Sequence, residues 1–156
     1  MTLPPFGLFE AVVQLLVQHG GEHARIAELS RTATVFTMHG RYDVVVLRRP
    51  LEDEAFKAHL KKVMKAPKPR PLHLVVVGGG AELPELVDGA RPHFTPKAIG
   101  SWAIQDDGTV HANKPLMMAK LVDMDAPGLQ AKLAVCSRDP AELERGWSAL
   151  RSERSD

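Results

Sequence analysis

Apolar residues recur at three- and four-residue spacing near the start of the chain. Phe9, Val12, Val13 and Leu16 form one stripe, with Glu10, Gln14 and Gln18 on another face. That period predicts an amphipathic helix over Phe6–Gln18. Gly20 and Gly21 then stop it, because glycine enters the left-handed conformation that ends helices. The pattern changes to β-branched runs at Thr32–Met38 and Tyr42–Arg48, separated by His-Gly-Arg, which predicts an antiparallel hairpin. Within the second run, Val44, Val45, Val46 and Leu47 are continuously apolar, as in a strand covered on both faces.

Pro50 opens a second helical pattern that reaches Lys65. Glu52, Asp53 and Glu54 stand at its start and Lys61, Lys62 and Lys65 at its end, matching the helix dipole at both ends. The alternating prolines of Ala-Pro-Lys-Pro-Arg-Pro cannot continue a helix and predict an extended connector. It leads into an apolar strand at Leu72–Val77, a triple-glycine turn at Gly78, Gly79 and Gly80, and a helix near Leu83–Ala90. Ala98–Gln105 and Thr109–Ala112, joined by Asp-Asp-Gly, predict a second hairpin. Leu116–Met124 fits a strand or a helix equally. Asp125 followed by Ala-Pro starts a short helix to Val135, and Asp139, Pro140 and Glu142 give the start of a last helix with Leu143, Trp147 and Leu150 as its seam. The expected fold is a single α/β (α+β) domain over residues 1–150. It has a small mixed sheet with two hairpins, flanking helices and a polar tail at 151–156.

Composition narrows the function. The 156 residues are 44% hydrophobic and 25% charged, which is globular. A net charge of +1 from 20 basic and 19 acidic residues speaks against duplex nucleic acid as a partner, since phosphate binding rests on a basic excess. A lone cysteine, Cys136, cannot form a disulfide within the chain and suits a reducing cytosol. No apolar run is long enough to span a bilayer. The expected location is cytoplasmic, at the inner face of a membrane where the basic residues would act.

Three candidate sites follow from residue types and spacing. The first is a basic face. Lys57, Lys61 and Lys65 share one side of the predicted second helix, Lys62 lies beside them, Arg48 and Arg49 precede it, and Lys68 and Arg70 follow in the connector. Near an anionic leaflet such residues contribute about 1 kcal/mol each; on a solvated helix they contribute nothing specific. The second is a metal site of the restriction-nuclease type, for which Glu10 and Asp43 are the available carboxylates. That chemistry also needs an acid and a lysine on the next strand, where Leu72–Val77 offers only His73. The third is the glycine turn Gly78–Gly80, a phosphate-binding layout. Glu82 and Glu85 already occupy the start of the following helix, where the dipole would draw an anion. The seven histidines (His19, His23, His39, His59, His73, His93 and His111) read as surface or satisfied core residues, and Cys136 as a small buried hydrophobe. No cofactor is expected.

Taken in order, His19-Gly-Gly closing the first helix, Asp43-Val-Val-Val-Leu, a charge-rich helix and the strand–turn–acidic helix of Leu72–Leu86 form a pattern. It is similar to the cytosolic N-terminal domain that precedes the membrane core in some bacterial rhomboid-family intramembrane proteases. The resemblance implies a non-catalytic regulatory domain facing a membrane or a membrane-protein partner, with Arg151–Asp156 approaching the first membrane helix. The protease's serine and histidine belong to membrane helices, so no catalytic residue carries over to this chain.

Overall fold

A computed structural model describes residues 7–31, 33–48, 72–90, 98–112, 120–121, 124–136 and 139–155. Strands β1 (Ala24–Glu28), β2 (Ala33–Met38), β3 (Tyr42–Arg48), β4 (Leu72–Val77), β5 (Ala98–Ile104) and β6 (Val110–Ala112) form one mixed sheet in chain order. β1–β2–β3 is an antiparallel meander, β3–β4 and β4–β5 are parallel, and β6 returns antiparallel to β5. The α-helices among the described residues are α1 (Leu8–Gly20), α2 (Leu83–Ala90), α3 (Ala126–Val135) and α4 (Pro140–Ser155). Two-residue strands β7 (Lys120–Leu121) and β8 (Met124–Asp125) pair as a small ribbon, so the described part of the ambiguous stretch is extended. The predicted helix at Leu51–Lys65 lies outside the described residues.

Strand alternation sorts the core into two layers. Phe36, Met38, Val44, Val46, Val75, Val77, Trp102 and Ile104 meet α1, α3 and α4 on one face. Ala33, Val35, Val45, Leu47, Leu74, Val76 and Ala103 meet Leu83 and Val87 of α2 on the other. Both sides of β3 and β4 are thus covered, which is why their sequences are continuous apolar runs.

Three expectations change. β1 was not legible, because Ala-Arg-Ile-Ala-Glu is a poor strand former; its pairing with β2 makes it one, with a bulge between Ile26 and Glu28. The face of α1 bearing Glu10 and Gln14 is buried, because α4 packs there and Gln14 Nε2 donates to the Leu143 carbonyl at 2.8 Å. And α4 continues through Ser155, so most of the expected polar tail is helical.

Caps behave as their residues dictate. Asp125 accepts the Gly128 N–H at 2.8 Å to start α3. Asp139 and Pro140 open α4, where the Asp139 carbonyl accepts from Leu143 N–H. At the β2–β3 turn, His39 and Gly40 both have positive φ (55° and 65°), and Arg41 N–H closes on the Met38 carbonyl. This is the paired left-handed geometry that matches hairpin twist.

Candidate functional site

The glycine turn sits at the carboxyl end of β4, where ligands bind in open α/β sheets. Gly78 and Gly79 have φ of 106° and 134°, which side chains on Cβ disfavour. This backbone could turn its amides toward a phosphate. Instead each has an internal acceptor. Gly78 N–H donates to the Ile104 carbonyl at 2.8 Å, Gly79 N–H to Asp106 Oδ1 at 2.9 Å and Gly80 N–H to Glu82 Oε1 at 3.2 Å. Asp106 N–H returns a bond to the Gly79 carbonyl, and Gln105 Nε2 donates to that of Gly80.

Glu82, in the turn just before α2, therefore fills an anion position at the glycine turn. Asp106, from the β5–β6 turn, was missed. It lies 27 residues from Gly79, and only the parallel pairing of β4 with β5 brings it there. Its neighbour Asp107 accepts from the Thr109 backbone N–H, which holds its carboxyl below the usual range.

The two carboxylates of the metal reading do not meet. Glu10 projects from α1 onto the face of the sheet that carries Val44 and Val46, where Arg48 Nη1 stands 3.9 Å from Glu10 Oε2. Asp43 is an odd number of positions from Arg48 on the same strand and so faces the opposite side, where it accepts from Thr37 Oγ1 at 2.9 Å. Along the strand the separation is about 16 Å. One ion cannot bind both, and the expectation of a shared site is corrected. Among the described residues, no group of three or more His, Cys, Asp or Glu converges on a metal-sized site.

Glu10 is fully buried and belongs to an ionic network. Its Oε1 accepts the Gly7 N–H at 3.0 Å, and its Oε2 accepts from Arg31 Nη1 at 3.2 Å. Arg31 also reaches both oxygens of Glu144 at 2.8 Å, with its guanidinium carbon 5.1 Å from the centre of the Trp147 ring. One arginine thus ties α1, the β1–β2 loop and α4 together.

Of the basic face, Arg48 is partly buried beside Glu10. Arg49, Lys57, Lys61, Lys62, Lys65, Lys68 and Arg70 lie outside the described residues, as do His59 and His93. The histidine reading needs one correction. His73 is wholly buried on β4, edge-on to Trp102 at 5.7 Å, and neither ring nitrogen has a hydrogen-bond partner among the described residues. Burial lowers its pKa to about 4. His23 and His39 stack with ring centres 4.5 Å apart. Cys136 is half-buried, its thiol donating to the Leu133 carbonyl at 3.4 Å. No described helix is long and apolar enough to cross a membrane.

Compared with protein-family profiles, curated proteins and solved structures, the chain matches none.

Proposed function

We propose that this chain is a non-catalytic regulatory domain that works by contact with a membrane surface or a membrane-protein partner. One observation carries the reading. The groups best suited to hold a ligand, the Gly79 and Gly80 amides, already hold the carboxylates of Asp106 and Glu82. A phosphate arriving there would have to displace two hydrogen bonds and face two negative charges. The membrane half of the reading rests on the sequence: Lys57, Lys61, Lys62 and Lys65 cluster in one predicted helix.

Two measurements test the halves separately. ATP, GTP and NAD should leave the melting temperature unchanged; a ligand-dependent rise means that the turn accepts phosphate. Anionic liposomes should sediment the parent chain and lose it when Lys57, Lys61, Lys62 and Lys65 are changed to Glu. No sedimentation of the parent, or equal sedimentation of both, rejects the membrane half.

A further inference from the structure

The two edges of the sheet are finished differently. At the β6 edge, Gln130 of α3 accepts the Val110 N–H at 2.9 Å, so a helix side chain closes it. The β1 edge has no strand beyond it among the described residues. Beside it runs a groove of about 650 Å³ between β1, the end of α1 and α4, lined by Val17, Ile26, Ala149 and Leu150 together with the polar Gln18 and Glu22.

Antiparallel pairing fixes which β1 groups face outward. His39 N–H donates to the His23 carbonyl, and bonded pairs alternate along the ladder. Arg25 therefore turns its backbone to β2, while Ala24 and Ile26 turn theirs away. The Ala24 N–H confirms this orientation, since it bonds back to the Gly21 carbonyl. An Ile26 N–H and two carbonyls remain on the outer side.

We infer that the β1 edge takes an extended, antiparallel peptide segment from a partner protein, with an acidic residue between two apolar ones. The new strand would set one residue directly opposite Arg25, in the closer type of cross-strand pair. Arg25 is exposed and makes no ion pair among the described residues, so an acid complements it. The residues on either side of that acid would point to the same face as Ala24 and Ile26, which pack against the main core, and so into the groove.

A second copy of this chain fits less well. The two-fold register that joins Ala24 of one copy to Ile26 of the other puts Arg25 opposite Arg25, and like charges there destabilise. Sliding the register forward meets the bulge after Ile26. The inference rests on the contact reading above and adds its surface and chemistry.

The test uses the full chain labelled with ¹⁵N and two peptides, acetyl-Thr-Val-Asp-Val-Thr-amide and its Lys-for-Asp counterpart. The Asp peptide should shift the Ile26 amide most and slow its hydrogen exchange, and the Lys peptide should bind about fivefold more weakly. Arg25→Glu should invert that preference. Ile26→Pro removes an outward donor that β2 does not use, so it should abolish binding; the melting temperature monitors its fold, and Arg25→Glu decides if that variant fails to fold. Equal binding of both peptides, no change at Ile26, or self-association through Ile26 without peptide each overturns the inference. If the peptides fail while liposomes still sediment the chain, the strand-addition surface falls and the contact reading stands.

Discussion

His73 shows how one buried side chain sets a pH limit. Its folded pKa of about 4 lies below the ordinary 6.5. Above pH 6.5 the ring is neutral in both states and adds no pH dependence. As pH falls from 6.5 toward 4, the unfolded chain takes up a proton that the folded chain refuses, so stability drops by about 3 kcal/mol across that window. Denaturant unfolding at pH 7.5 and pH 4.5 should show this loss. His73→Leu should reduce it while leaving stability at pH 7.5 equal or higher, because two unsatisfied ring nitrogens leave the core. A loss of the same size in the variant would assign the acid sensitivity elsewhere. Glu10 makes the complementary case. Glu10→Ala should cost about 1–3 kcal/mol, because the Gly7 N–H loses its acceptor and Arg31 keeps only Glu144 of its two carboxylate partners, a cost that urea unfolding measures.

At the scale of elements, close approach and shared turns decide the outcome. Ala at 146 would favour the helix by about 1 kcal/mol, but a Cβ there would stand 2.7 Å from the Gln14 amide carbon. Gly146→Ala should therefore destabilise by about 1–2 kcal/mol. Adding Gln14→Ala should recover part of that loss, a non-additivity that a double-mutant cycle reads. The glycine turn depends on the next hairpin in the same way. Asp106→Ala should cost about 1 kcal/mol and speed hydrogen exchange at Gly79, while Asp106→Asn, which keeps an acceptor, should do less. The sequence carried the local part of both arrangements: a glycine in a helix, and acids after a glycine turn. It could not carry the neighbour, because Gln14 and Asp106 arrive from remote segments.

For the whole molecule, the layers decide which candidate sites survive. Glu10 and Asp43 look like partners in sequence, yet the sheet stands between them. Mg²⁺ or Mn²⁺ titration followed by NMR should not move both sets of signals together; joint, saturable shifts would contradict their separation. The same layering explains why α1 carries polar residues on buried positions. It lies between sheet and α4, and its Glu10 and Gln14 find their hydrogen bonds across that second interface.

What the chain determined locally is extensive. The apolar runs, the glycine and proline breaks and the Asp caps placed β3, β4, α2 and the start of α4, because periodicity and capping act within a few residues. Tertiary structure decided the rest. β1 is a strand only because β2 offers it a ladder, Asp106 closes the glycine turn only because β5 lies beside β4, and His73 is neutral only because helices cover its face. Each depends on contacts between distant segments, which local composition does not encode.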